Sequence, residues 1–319
     1  MSRDSYLLVS HKGNTYFTDS RYTEEAALYL KGKIRIEEIG GSVFKSASEN
    51  CQKLKISSLG FEEGNISHLE FKQIKRALPK RVRLFPTCGI VEELRKIKSP
   101  IELLKIKKAA QITIGAFEFI KRFIRPGIRE IEVAAELERF IRYKGGQGAS
   151  FNIIVASGPN SSYPHHITSG RKLKNNELVL IDAGTEVDSY KSDLTRVFFL
   201  GKINALARRI YDIVLRANNL AIAKIRPEVA ISAIDAASRK YIAACGFGKY
   251  FVHSLGHGVG LQVHEAPRIC AKTTEKLKAG MAITIEPAIY LPGKFGIRIE
   301  DMVHVTKTGC EVLSGSLHK

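Results

Sequence analysis

A carboxylate set into each of four separate apolar runs constrains this sequence more than any other feature. Asp182 closes Leu178-Val-Leu-Ile-Asp182-Ala-Gly184, and Asp193 sits in Lys191-Ser-Asp-Leu-Thr-Arg196. Glu286 lies in Ile283-Thr-Ile-Glu-Pro287 and Glu300 in Ile297-Arg-Ile-Glu-Asp301. Runs of this kind read as strands with at least one buried face, where an unpaired charge is costly. Four carboxylates in half-buried strands repel one another, and each alone would be driven to a raised pKa. One divalent cation, or two, resolves that conflict. A single acid so placed is ordinarily solvated or salt-bridged; several in distant segments with one shared chemical logic are not.

An imidazole is offered by His253-Ser-Leu-Gly-His257-Gly-Val-Gly260-Leu-Gln-Val-His264. Glycines flank His257 on both sides, so backbone can approach closely and leave the ring unobstructed. His253 and His264 stand four before and seven after it, near enough to line the same cavity. Hard oxygen ligands with one imidazole suit manganese, cobalt, iron or zinc rather than a thiolate zinc site. The cysteines agree: Cys51, Cys88, Cys245, Cys270 and Cys310 are odd in number, scattered and form no Cys-x-x-Cys pair. Neither a disulfide framework nor a zinc knuckle is expected, and a reducing cytoplasm fits best.

At 319 residues the chain has room for about two domains. Residues 1–91 read as a small α/β unit, with strands at 6–10, 15–18, 33–39 and 82–85, a helix at 22–30, and a helix opened by Ser67 with Glu70 as its capping box. A sharper signal is Ser99-Pro-Ile-Glu102, which places a capping hydroxyl, a proline at the first helical position and an N3 carboxylate in order. Its helix should run to about Phe123, stopped by Arg125-Pro-Gly127. From there the expected order is a helix at 128–144, strands at 151–156, 178–183 and 190–200, helices at 205–225 and 231–244, and strands near Val252 and at 282–289 and 297–305. Two helices followed by a strand group thus occur twice, the mark of a pseudo-symmetric α+β domain over residues 92–319. No apolar run approaches the roughly 18 residues of a membrane span, and the first ten residues lack the pattern of an export signal.

Taken together, these motifs resemble those of the two-metal peptidases of the pita-bread fold, in the branch of Xaa-Pro aminopeptidases and Xaa-Pro dipeptidases (prolidases). The resemblance rests on Ala156-Ser-Gly-Pro-Asn160 with Pro164-His165, Ile181-Asp-Ala-Gly184, Ser192-Asp-Leu-Thr-Arg196, the His253 to His264 stretch, Glu286-Pro-Ala-Ile-Tyr290 and Arg298-Ile-Glu-Asp301. It implies a pita-bread catalytic domain behind a smaller, shortened creatinase-like α/β domain. It implies two divalent ions, manganese first and cobalt, zinc or iron as the other candidates, with Asp193 and Glu300 bridging them, Asp182 on one and His257 with Glu286 on the other. A hydroxide bridging the ions would then cut the bond between an N-terminal residue and proline. By the same resemblance Glu286 doubles as the proton acceptor, His264 stabilises the tetrahedral oxygen, and His165, His253 and Arg298 position substrate. Of the neighbours His165 and His166, the motif favours His165, with His166 expected in solvent. The expected partner is a peptide with proline second; a homodimer is a candidate assembly, and no membrane partner is expected.

Two other readings share the fold. A methionine aminopeptidase would share the five ligands, but His253 and Arg298-Ile-Glu-Asp301 speak against it. A non-catalytic binding protein with a basic RNA- or ribosome-associating surface would account for the net charge of +18. Its basic clusters, within 72–83 and 95–108, have few interleaved aromatics and no nucleic-acid module beside them, so nucleic acid is not the expected partner. Nor would such a protein have reason to keep all five ligands.

Overall fold

The structure, a computed structural model, describes residues 5–30 and 32–319. Met1–Asp4, the start of the segment read for an export signal, and Lys31 lie outside the described residues. The chain divides into two compact units, Met1–Ile90 and Val91–Lys319.

The first unit holds a three-stranded sheet of Tyr6–Leu8, Thr15–Thr18 and Arg35–Glu38, and a parallel pair of Ser58–Glu62 and Arg83–Thr87. Helices Thr23–Leu30, Val43–Lys53 and His68–Ala77 accompany them, and Val43–Lys53 joins the core around Leu8, Phe17 and Cys51. The capping box at Ser67 forms as expected, with the Ser67 N–H donating to Glu70 Oε2 at 2.7 Å and the Glu70 N–H to Ser67 Oγ at 3.2 Å. Helix Val43–Lys53 and strand Ser58–Glu62 are elements the sequence reading did not anticipate. The helix is polar along most of its length and buries only Phe44, Ser48, Asn50 and Cys51, so its apolar stripe is thin.

In the second unit the helix Pro100–Phe123 begins at the Ser99 cap and ends before Arg125-Pro-Gly127, as its termini dictate. It packs with Glu130–Tyr143 against an antiparallel sheet ordered Leu194–Leu200, Glu177–Ala183, Ile154–Ser157. Helices Ala205–Ile222 and Ile231–Ala244 repeat the arrangement over a five-stranded sheet. That sheet is ordered Glu265–Ile269, Gly256–Gly258, Ala282–Ile285, Asp301–Val305, Cys310–Val312. Each half has its own apolar core, one around Ile106, Phe117, Leu137 and Ile181, the other around Ile210, Val214, Ile234 and Ile283. The halves meet where the Glu300 N–H donates to the Thr195 carbonyl at 3.2 Å and Arg196 Nη1 donates to the Glu300 carbonyl at 2.5 Å.

The sequence reading needs one systematic correction. The strands expected as continuous over 190–200, 282–289 and 297–305 are each broken, at Ser192-Asp193, Glu286-Pro287 and Ile299-Glu300. Every break falls on one of the carboxylates singled out above. Regular pairing sends successive side chains to opposite faces; interrupting the ladder frees the acid from that alternation. Val252 is also exposed and outside any strand, the nearest being Gly256–Gly258.

Candidate metal centre

The three acids at the breaks come together with Asp182, which stays within strand Glu177–Ala183, where the two sheets meet. Ligand-capable atoms of Asp182, Asp193 and Glu300 lie within 4.8 Å of one another, and so do those of His257, Glu286 and Glu300. A third set of Asp193, His257 and His264 overlaps both. The five residues read from sequence as ligands therefore occupy one cluster, with Glu300 common to the first two sets. Asp182, Asp193 and Glu300 are buried, and each leaves one carboxylate oxygen (Oδ1, Oδ1 and Oε1) without a hydrogen-bond partner among the described residues. Buried polar atoms are nearly always satisfied, so three orphans on residues that cluster from three segments ask for a cation.

The electrostatics make the same demand. Burial, followed by the neighbouring charge of Glu300, pushes the carboxyls of Asp193 and Glu286 well above the usual range. Burial and then Asp182 push Glu300 up to about 8. His257 Nδ1 lies 3.0 Å from the Gly258 carbonyl, which can only accept, so Nδ1 carries the hydrogen. Burial lowers the ring's pKa to about 4, leaving it neutral. Its Nε2 lone pair then faces Glu286 Oε1 at 3.3 Å and Asp193 Oδ2 at 3.6 Å, an arrangement of donors that suits coordination of a metal ion. A Cβ on Gly256 would stand 2.0 Å from the Thr284 carbonyl oxygen, and one on Gly258 2.2 Å from that of Ala266. The expected close backbone approach around His257 is thus present.

Around the cluster runs a chain of polar side chains. The buried Arg298 donates from Nη2 to Asp182 Oδ2 at 2.6 Å, from Nε to Thr195 Oγ1 at 3.0 Å, and from Nη1 to the Tyr290 hydroxyl at 2.5 Å. Thr195 in turn donates to Glu300 Oε2 at 2.7 Å. Arg298, which the resemblance has positioning substrate, thus presents its fork to Asp182, Thr195 and Tyr290. Tyr290 Oη also lies 3.2 Å from His253 Nε2, while His253 Nδ1 is 2.8 Å from the Ser254 carbonyl. With Nδ1–H on that carbonyl, His253 Nε2 accepts from the tyrosine, whose pKa burial pushes up to about 12. Tyr290 and Thr195 escaped the sequence reading as site residues although both lie inside its motifs.

His264 is exposed and packs edge-on to His257, ring centroids 4.3 Å apart. His165 is exposed too, yet close enough for its charge to disfavour protonation of His253 and His264. The expectation that His166 is solvated is overturned: only 12% of its side chain is exposed, and Nε2 lies 3.0 Å from Glu130 Oε2. The rings of His165 and His166 also border a groove of about 870 Å³ beside helix Glu130–Tyr143.

Residues 104–307 match the profile of metallopeptidase family M24, and residues 1–97 that of the creatinase/prolidase N-terminal domain. The chain belongs to metallopeptidase family M24. Its fold is the pita-bread architecture of that family behind a creatinase-type α/β domain, so the resemblance to the prolidase branch holds. Among curated relatives, an Xaa-Pro dipeptidase of Pyrococcus furiosus is 38% identical over 297 residues, 91% of this chain and 85% of that protein. An uncharacterised peptidase of Bacillus subtilis is 38% identical over 309 residues, 97% and 87% of the two chains. An Xaa-Pro dipeptidase from Bacillus anthracis superposes with a TM-score of 0.96 at 38% identity, covering 100% of this chain and 89% of that one. An X-Pro aminopeptidase from Thermotoga maritima superposes at 0.89 with 35% identity, covering 97% and 88%. A metallopeptidase of this family acts on peptides and uses divalent metal. Among the described residues no helix is long and apolar enough to cross a membrane.

Proposed function

We propose that this M24 peptidase removes the N-terminal residue from peptides carrying proline second, using two divalent ions. The observation that carries the reading is the pair of ligand sets sharing Glu300, three of whose carboxylates each keep an unpartnered buried oxygen. Asp182, Asp193 and Glu300 would hold one ion; His257 and Glu286 would hold the other, with Asp193 and Glu300 shared. Manganese is the first candidate, and cobalt, zinc and iron suit the same donors. The ion pair, when bound, supplies a water of lowered pKa and polarises the scissile carbonyl.

The remaining work falls to the side chains of this chain. Glu286 would take the water's proton and deliver it to the departing proline nitrogen. His264, edge-on to His257, would offer an N–H to the oxygen on which charge develops. His253, fixed between Tyr290 and the Ser254 carbonyl, and His165 present rings to the substrate. Arg298 fixes Asp182 and, through Thr195, the orientation of Glu300.

Support for proline selectivity comes from relatives named for Xaa-Pro dipeptides and X-Pro peptides. The test is hydrolysis of Xaa-Pro dipeptides, longer Xaa-Pro peptides and Met-Ala peptides by chelated enzyme reloaded with each metal in turn. Metal-dependent cleavage before proline supports the reading. Preferential release of methionine from Met-Ala peptides would move it to a methionine aminopeptidase. Salt-sensitive nucleic-acid binding without peptidase activity would move it to a non-catalytic binding protein.

A further inference from the structure

Glu130 is buried completely and stands at the start of helix Glu130–Tyr143, outside every motif that marks the metal centre. Its carboxylate collects donors from two ends of one segment, residues 157–169, which leaves strand Ile154–Ser157 through a single 3-10 turn, Gly158–Ser162. At the near end it accepts from the Ser157 N–H at 2.8 Å, the Ser157 hydroxyl at 2.7 Å and the Asn160 amide at 3.0 Å. At the far end it accepts from the Ser169 N–H at 3.2 Å and the Ser169 hydroxyl at 2.6 Å, and His166 Nε2 lies 3.0 Å away. A carboxylate has about four acceptor positions, and here they are filled by the segment it holds. These bonds keep its carboxyl below the usual range in spite of the burial.

The clamped segment reaches the metal centre at its middle. The Pro164 carbonyl accepts from Arg298 Nη1 at 3.3 Å, and that guanidinium also grips Asp182 and Tyr290. Ser161 Oγ accepts from the Gly296 N–H at 2.9 Å, tying the segment to the strand that carries Arg298. His165 follows Pro164 and lies open to solvent. An exposed ring on irregular backbone would wander through many orientations; here both flanks of its loop end on one buried carboxylate.

We infer that Glu130 is a positioning residue: by clamping residues 157–169 through Ser157, Asn160, His166 and Ser169, it holds His165 in register with the substrate at the metal centre. The inference rests on the proposed peptidase reading, and His166 serves as a clamp contact rather than a solvated bystander. Losing the clamp loosens substrate engagement without touching a metal ligand.

The test compares Glu130→Gln, His166→Ala and His166→Gln with wild type in the metal-reconstituted enzyme, measuring kcat, KM, metal content and thermal midpoint. Glutamine at 130 turns one acceptor oxygen into a donor facing donors. Glu130→Gln should raise KM at least tenfold with a smaller change in kcat. His166→Ala, which removes one partly exposed contact, should raise KM three- to tenfold at wild-type metal content and thermal midpoint. His166→Gln, which offers an amide N–H toward Glu130, should restore most of that loss. Unchanged KM in His166→Ala, or a loss that His166→Gln does not recover, overturns the clamp. So does a Glu130→Gln effect confined to metal content or folding. Wild type that cleaves no Xaa-Pro peptide under any metal would instead sink the peptidase reading, a result distinct from all of these.

Discussion

Glu300→Gln should stabilise the metal-free protein while destroying its metal site. Glu300 is 2% exposed, and burial among other acids raises its carboxyl from 4.5 to about 8. Between these values the folded state holds a proton that the unfolded chain has released, so stability falls as pH rises through that window. At pH 7 the interval above 4.5 is about 2.5 units, and at ~1.4 kcal/mol each the penalty is ~3 kcal/mol. Glutamine carries no such penalty. Its carbonyl can accept the Thr195 hydroxyl that now donates to Oε2, and its NH2 points among carboxylates. Calorimetry of chelated protein at pH 7 should therefore show the variant more stable by ~3 kcal/mol, on the order of 6–12 °C for a unit of this size. The gap should close toward pH 5, and wild type with metal restored should overtake the variant. A metal-free variant no more stable than wild type, with a wild-type midpoint flat from pH 6.5 to 8, would refute this account of the site's electrostatics.

Asp193→Asn should abolish turnover and metal binding while leaving the circular dichroism of the fold intact; wild-type metal content in that variant would contradict its assignment. Metal binding should strengthen from pH 6 to 8 and release protons, because Asp193, Glu286 and Glu300 hold theirs unusually high; titration calorimetry in buffers of different ionisation enthalpy reads that release, and none would count against the raised carboxyls. Tyr290→Phe deletes the hydroxyl shared by Arg298 and His253 and should cost ~1–3 kcal/mol of stability, with activity down about tenfold at unchanged metal content. Gly258→Ala drives a Cβ to 2.2 Å from the Ala266 carbonyl oxygen and should lower the thermal midpoint and weaken metal binding together; wild-type behaviour in both would show that the strand pair yields.

The acids Asp182, Asp193, Glu286 and Glu300 were legible because charge inside an apolar run violates the ordinary pattern, and His257 because glycines surround it. What the pattern could not show was how one strand and three strand breaks deliver acids to one point. Residues 190–200, 282–289 and 297–305 read as unbroken because their flanks are apolar, yet each breaks at its acid, so the same residues carry the chemistry and the irregularity. Glu130 stayed hidden for another reason: beside Glu132 at a helix start it looks like an ordinary first-turn acid. Its partners lie 27 to 39 residues away, a distance only folding spans. The adjacent histidines misled in the same way, since nothing local distinguishes the ring bound by Glu130 from the one left open.

The most direct measurement is anomalous diffraction from metal-reconstituted crystals, paired with metal analysis of the same protein. Two ions per chain should appear, one among Asp182, Asp193 and Glu300, the other against His257 and Glu286, and exhaustive chelation should abolish cleavage of Xaa-Pro peptides. An empty cluster, ions bound elsewhere, or full peptidase activity after chelation would contradict the account.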